Sequence, residues 1–558
     1  MSGVKYLDWF DWCVFGGMLL LSSAIGVYFA FFSKKKQDTT SEYLMGGRTM
    51  PIFPISMSLI ASYISGITLL GTPAEIYVYG SQAYMGVISD ILTNITIVIV
   101  YLPVFFKLQV TSSYEYLNRR FGPTVRLFGT CLFLIKMVIT GINLHLISPI
   151  VCSVCIFYTS LGGLKAVVWA DTLQMFLMMG GIVVVLIIGI VKVGGLGIVY
   201  DRAVETSRAE FFNTDLDPTV RHTLWNMLLG NYVYHVATMA VNQCMVQRCL
   251  SVSSIRHAKC WHFCIVTLCT LTGFVMHAYF FDCDPIKSKK ISKADQLLPY
   301  FVMETSTIMP GLPGIFLSGV FSAALSTMST GLNSMTGVIF EDMIEPWTGG
   351  LSERATGRVL KLVVVLIGIL CVSMVFVVEQ LGTLFQMTKS LLGITNGPLL
   401  GLFTLGMFFP SANAFGALVG GITALCTMGW ISLGAQSVIS KGLIKFPTKS
   451  VNVSGCKEPL DHLFTPTAPS ILTLDNLEVA MEPLYMFRIS YMWYGLIGLF
   501  ITISVGLLVS NLRPDSKKVD RDLLSPVTYR FLAEDKSSSE IQSAISPVSL
   551  KLIEMKSC

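Results

Sequence analysis

The sequence predicts an all-α, polytopic membrane protein, and three observations carry that expectation. Hydrophobic residues make up 53% of the chain and charged ones only 13%, roughly half the charge of an average soluble protein. The apolar residues fall in runs long enough to cross the hydrocarbon of a bilayer, for which about 20 residues are needed. The basic residues gather between those runs, as they do in cytoplasmic loops. Such a chain has no polar domain, and no basic stripe interleaved with aromatics, to hold nucleic acid. It carries no H-E-x-x-H, nucleophile-elbow or paired-carboxylate pattern, so it reads as a transport or binding protein rather than an enzyme.

In chain order the runs are Trp12–Phe32, Ile52–Tyr79, Ala83–Phe106, Leu127–Ser160, Thr172–Val193 and Leu224–Val241. They continue with Cys260–Phe281, Gly311–Phe340, Leu360–Val378, Leu381–Phe409, Ala414–Leu433 and Tyr491–Val509. Asp8 and Asp11 precede the first run and no basic segment leads it, so it reads as a retained span rather than a signal peptide. Ile52–Tyr79 contains Ser62-Tyr63-Ile64-Ser65-Gly66 and then Gly71-Thr72-Pro73, residues that interrupt a helix. Carbonyls freed inside a bilayer must be satisfied, and in secondary transporters they coordinate ions or solute at mid-membrane. The alternative is a proline kink with Ser and Gly serving close helix packing.

Gly311–Phe340 contains no charged residue in 30 positions, yet carries Ser322, Ser326, Thr327, Ser329 and Thr330. Hard cations are bound by oxygen, and the adjacent hydroxyls of Ser326 and Thr327 mark the first place to look for one. Leu127–Ser160 is long for one helix and short for two. Parity decides it. Basic clusters at Lys34–Lys36 with Arg48, at Arg119, Arg120 and Arg126, at Arg248, Arg256 and Lys259, and at Arg354, Arg358 and Lys361 should all be cytoplasmic. The sequon Asn452-Val453-Ser454 should be outside if glycosylated. All agree only if Leu127–Ser160 crosses twice, in two shortened helices. The expectation is thirteen crossings with the N-terminus outside and the C-terminus inside. Lys287, Lys289, Lys290 and Lys293 then lie outside, against the trend. Asp295 to Glu304 is expected as a short interfacial helix, and residues 512–558 as a disordered cytoplasmic tail.

Of the 14 cysteines most sit in apolar runs as buried thiols. Cys152 and Cys155 form a C-x-x-C with no second pair, too little for a metal site. Cys283 and Cys456 both fall in loops read as extracellular, where a disulfide persists.

Several longer stretches resemble a known family. LIASYISGITLLGTPAEIYVYG (Leu59 to Gly80), YTSLGGLKAVVWADTLQ (Tyr158 to Gln174), VNQCMVQRCLS (Val241 to Ser251), GLPGIFLSGVFSAALSTMSTGLNS (Gly311 to Ser334) and NGPLLGLFTLGMFFP (Asn396 to Pro410) are similar to the sodium/solute symporters of the sodium–glucose cotransporter family. The nearest branch is that of the monocarboxylate, multivitamin and iodide symporters. The resemblance implies a LeuT-like core of two inverted five-helix repeats over roughly residues 51–434, inside a transmembrane domain of residues 1–511. The repeats begin at Ile52–Tyr79 and at Leu224–Val241.

It also implies Na⁺ as coupling ion, held by the carbonyls of Ala61, Ile64 and Ala323 and the hydroxyls of Ser326 and Thr327. Asp171 matches an acidic position close to that site; a helix N-terminal carboxylate favoured by the dipole is the plainer reading. Tyr63, Ser65 and Thr68 match positions that contact solute or a second ion. Gln243 is expected to face the same cavity and Ser390 to lie near it, though each is equally suited to packing.

Lys389 stands apart, because a lysine inside an apolar run is costly unless paired or wetted. Its proposed role is countercharge to an anionic solute; the plainer reading is a lysine that reaches water or another partner. Asp90 and Lys136 are similarly isolated and suited to pairing across helices. The segment Thr140–Val154 is shorter than the family pattern, which removes the outer ends of two core helices. The expected function is therefore sodium-coupled import of a small, anionic organic solute, a monocarboxylate or a vitamin such as biotin or pantothenate, across the plasma membrane. The alternative is a non-transporting, shortened form acting as a sensor or regulatory membrane protein. Expected partners are the solute and membrane lipid.

Overall fold

The computed structural model describes residues 7–32, 43, 50–108, 110, 112–140, 148–250, 256–306, 309–348, 351–378, 384–444, 446–456, 483–515 and 519–531. Among these there are helices and turns but no strand. Eight helices in the described residues are long and apolar enough to cross a membrane. The chain opens with α1 (Trp9–Val27) and then breaks Ile52–Tyr79 into α2 (Ile52–Tyr63) and α3 (Gly66–Tyr79). Pro73 sits inside α3 and does not end it. The break comes earlier, at Ile64 and Ser65, whose backbones are extended.

After α4 (Gly86–Thr96) and α5 (Leu102–Leu108), a short α6 (Ser113–Phe121) leads into α7 (Pro123–Thr140). Leu127–Ser160 is thus divided between two helices, α7 and the start of α8 (Ser148–Val193). Residues 141–147, within the segment read as shortened, lie outside the described residues. The helix α8 bends at Gly163, where φ is 52° and ψ −152°. A side chain there would meet the carbonyl oxygen of Tyr43, 2.8 Å from an ideal Cβ. The run Thr172–Val193 is the second half of α8, so Asp171 lies well inside a helix and not at its N-terminus.

Beyond α9 (Leu196–Glu205), Leu224–Val241 is also interrupted, which the sequence reading missed. It passes through a π turn into α10 (Asn231–Met239), leaves the helix at Ala240–Asn242, and resumes as α11 (Gln243–Leu250). Next come α12 (Arg256–Tyr279) and α13 (Leu297–Thr305). The latter buries Leu297, Leu298, Phe301 and Val302 in the protein.

The helix α14 (Leu312–Ile339) is almost wholly buried, and Asp11 of α1 accepts a 2.8 Å bond from Gly314 N at its start. It is followed by α15 (Glu353–Val378), α16 (Leu384–Phe408), α17 (Ala414–Ser440) and α18 (Tyr494–Leu512).

Two segments tie down the ends of the bundle. Cys283 and Cys456 form a disulfide with Cα atoms 5.0 Å apart. Beside it Asp284 N donates to Asn452 O at 2.9 Å, and Tyr77 at the end of α3 donates to Asp284 at 2.6 Å. At the other end, residues 519–531 are not the disordered tail that composition predicts. Leu523, Leu524 and Ser525 are buried. Tyr116 of α6 donates to Leu523 O, and Ser525 N donates to Met407 O, each at 3.0 Å. Three consecutive buried residues outweigh the polarity of their neighbours. Residues 532–558, also expected to be disordered, fall outside the described residues.

Replacing Gly163 by Ala forces a β-carbon into a left-handed φ and against Tyr43. A loss of at least about 2 kcal/mol is expected from the backbone and the clash together. A detergent melting curve checks this, and an unchanged midpoint contradicts the bend at Gly163.

Candidate functional site

The two breaks face one cavity of ≈ 200 Å³. The first contributes Ser62, Ser65 and Thr68, and the second Asn231, Tyr234, His235, Thr238 and Asn242; Thr327, Lys136 and Lys389 reach the same space. Each second half-helix opens with a side-chain cap. Ser65 Oγ accepts from Thr68 N at 3.4 Å, and Asn242 Oδ1 accepts from Cys244 N at 3.2 Å. A polar side chain at each break supplies part of what the interrupted ladder lost. The helix dipoles then present positive N-terminal ends of α3 and α11 at the cavity, while the last turn of α2 leaves carbonyl oxygens without amides four residues on.

Those carbonyls lie beside α14. Ala61, Ile64 and Ala323 pack in one buried cluster. Ser62 Oγ is 3.4 Å from Ser326 Oγ and 2.8 Å from Thr330 Oγ1. Thr327 Oγ1 donates to Ala323 O at 2.9 Å. A hydroxyl that donates keeps lone pairs, and a carbonyl has two, so this bond leaves oxygen available to a cation.

Next to this group is an arginine that the charge pattern had assigned to a cytoplasmic loop. Arg248 of α11 is 1% exposed and Asp171 is fully buried; the guanidinium donates to Asp171 Oδ2 at 2.8 Å and also to Ser62 and Thr330. Ser58 donates to the same carboxylate oxygen at 2.5 Å. The correction has a plain cause: α11 continues past the break inside the protein, where a carboxylate and hydroxyls replace the water that Arg248 would otherwise need. Asp171 therefore neutralises an arginine beside the oxygen cluster.

The remaining expected residues divide. Ser65, Thr68 and Lys389 line the cavity. Lys389 Nζ donates to Asn231 Oδ1 at 3.3 Å and lies 4.5 Å from the centroid of the Tyr234 ring. Gln243 is engaged behind the break, its Oε1 accepting from Ser113 N at 2.7 Å and Ser113 Oγ at 3.1 Å. Ser390 is paired with Ser432 of α17 at 2.8 Å. Tyr63 ends α2, and its side chain is outside the described residues.

Asp90 pairs with His235, at 3.2 Å. Glu75 closes the side nearest the disulfide-bonded loops. Arg221 holds it with two bonds of 2.6 and 3.0 Å while lying 4.1 Å from the centroid of Tyr79 and 5.0 Å from that of Phe446. Arg221 and His235 were not singled out in the sequence, because their partners are more than a hundred positions away. No group of three or more His, Cys, Asp or Glu side chains suited to a metal occurs among the described residues.

Interrupted membrane helices that meet at a polar cavity define a multi-pass membrane protein built to pass a small solute. The sodium:solute symporter family matches residues 43–424, and the chain belongs to that family. The mouse sodium-coupled monocarboxylate transporter 2 is 36% identical over 555 residues, covering 95% of this chain and 88% of the relative. The human sodium-coupled monocarboxylate transporter 1 is 35% identical over 531 residues, covering 90% and 86%. A solved structure of a Na⁺-coupled sialic acid symporter, substrate-bound and outward-open, shares the fold with a TM-score of 0.70 at 22% identity, over 92% of this chain and 100% of that one. The chain is thus a sodium-coupled solute symporter of the membrane, with sodium as its coupling ion, and not an enzyme.

Truncating one member of the Asp171–Arg248 pair strands the other in a dry site. Arg248→Ala is expected to cost about 3–5 kcal/mol, with most of it recovered in Arg248→Met/Asp171→Asn. Melting curves of the purified variants check this, and a single mutant as stable as wild type contradicts the pairing.

Proposed function

We propose that this symporter imports a small organic anion, a monocarboxylate or a carboxylate vitamin, with Lys389 as the countercharge. The observation that carries the reading is the company Lys389 keeps. It shares one cavity with the hydroxyls of Ser65, Thr68 and Thr327 and with the capped N-termini of both second half-helices. An ammonium and two helix N-termini favour an anion, and the hydroxyls satisfy its remaining lone pairs. Tyr63 is assigned a place with them. Gln243 and Ser390 brace the helices behind the cavity. The relatives are monocarboxylate transporters by name, which accords with this solute class.

Sodium is assigned to the carbonyls of Ala61, Ile64 and Ala323 and the hydroxyls of Ser326 and Thr327. Asp171, through its neutralisation of Arg248, keeps the neighbourhood from repelling the ion. Five oxygens without formal charge bind Na⁺ moderately, which suits an ion that must be released. One charge moved inward gains about 2.3 kcal/mol per 100 mV. Bound Na⁺ ties the end of α2 to α14 and so favours the arrangement in which the solute can bind.

The two interrupted helices support an inverted repeat over residues 51–434. With it goes a domain of residues 1–511 that crosses the plasma membrane thirteen times, N-terminus outside and residues 512–558 cytoplasmic. The disulfide-bonded loops are then extracellular, and exposed Asn452 carries a glycan.

Ser326→Ala with Thr327→Ala should remove sodium-stimulated uptake of radiolabelled monocarboxylate, at normal surface expression. Persistent sodium dependence rejects the ion site. Lys389→Met should raise KM for the anion by about tenfold or more, the size of one lost charge-assisted contact; an unchanged KM rejects the countercharge. Asn452→Gln should abolish the gel shift produced by glycosidase, and a persistent shift places the glycan elsewhere.

A further inference from the structure

The cavity contains a second electrostatic device, distinct from the sodium oxygens and from Lys389. His235 lies one helical turn beyond Asn231 on the same face of α10, so their side chains are neighbours. Asn231 receives the bond from Lys389, and His235 Nε2 meets Asp90 Oδ1 of α4 at 3.2 Å. Both members of that pair line the cavity, with side-chain exposures of 12% and 14%. Asp90 and Glu75 are the carboxylates that line the cavity with Lys389. Glu75 is already held by Arg221 and faces His222. Asp90 meets an imidazole, whose charge depends on its protonation, and so is the carboxylate through which a proton can alter the field met by an anion beside Lys389. The other titratable groups facing this space are Lys136 of α7, Tyr234 of α10 and Cys244 of α11, and Tyr491 lies behind it on His222.

We propose that His235 with Asp90 is a proton-binding site coupled to the solute: the anion binds together with a proton on His235, in addition to sodium. With His235 neutral, the His235–Asp90 pair carries one negative charge and opposes an anion beside Lys389. A proton taken from outside solution onto His235 makes the pair an internal salt bridge, and the field of Lys389 is left for the solute. Binding of proton and anion is then mutually reinforcing, by the same factor in each direction. Imidazole is the side chain suited to this, since it titrates in the physiological range.

The inference rests on the anion reading, and its test separates the two. Sodium-dependent uptake of a monocarboxylate that stays ionised throughout, and of its uncharged primary amide, is measured from about pH 5.5 to 8. Wild type, His235→Gln, Asp90→Asn and Lys389→Met are compared at equal surface expression. In wild type KM for the anion should fall about tenfold toward acid, one charge interaction across a helical turn in a wetted site. It should be flat in His235→Gln, and flat and low in Asp90→Asn, where the opposing charge is gone. A flat wild-type profile, or a slope retained in His235→Gln, overturns the proton site. Uptake of the amide in preference to the anion, insensitive to Lys389→Met, overturns the anion reading instead. Uptake of neither probe overturns both.

Discussion

A peptide group that leaves a helix inside a bilayer has no water to bond, and among the described residues this chain leaves the helix at Ile64–Ser65 and again at Ala240–Asn242. The rest of the site follows from how those groups are satisfied. Ser65 and Asn242 cap the helices that resume. The carbonyls that end α2 stand beside the hydroxyls of α14, with Ala61, Ile64 and Ala323 packed together. Cations suit the carbonyl end of α2, and anions suit the N-termini of the helices that resume. One pair of interrupted helices thereby supplies opposite polarities a short distance apart, which a co-transporter of a cation and an anion requires.

Charge inside the bundle is handled by pairing, and three of the pairs join a half-helix to a neighbour. Arg248 on α11 meets Asp171 on α8, Glu75 on α3 meets Arg221, and His235 on α10 meets Asp90 on α4. The two buried pairs, Arg248–Asp171 and Arg221–Glu75, are worth little beyond a good apolar contact but are expensive to break. Such pairs are stiff in either arrangement of a two-state protein and resist the positions between. At one end the disulfide-bonded loops and Lys449 N, which donates to Val78 O at 2.9 Å, hold α3. At the other, the segment around Ser525 joins α6 to α16. The cavity lies between these fixed ends.

Much of this was legible in the sequence. Hydropathy marked the helices because the bilayer demands long apolar runs. Ser65 and Gly66 marked the first break because they cannot continue a ladder cheaply, and Ser326 and Thr327 marked an oxygen cluster because an otherwise chargeless helix had no other use for it. The second break was not legible: Leu224–Val241 contains no proline or paired glycine at its end, and the one signal was Asn242, a capping residue placed just after an apolar run. Arg248 was misplaced for a related reason. Loop assignment by charge treats every arginine as solvated, whereas a carboxylate far away in sequence can replace the water. The docked segment at 519–531 was hidden by polar neighbours, since three buried residues barely move a composition.

The central claim is that sodium bridges the end of α2 and the middle of α14. An experimental structure determined in sodium and again with sodium replaced by choline tests it most directly. The account predicts a density peak in sodium alone, within coordination distance of the Ala61, Ile64 and Ala323 carbonyls and the Ser326 and Thr327 hydroxyls. A sodium-specific peak elsewhere, with these five oxygens unchanged between the two conditions, contradicts it.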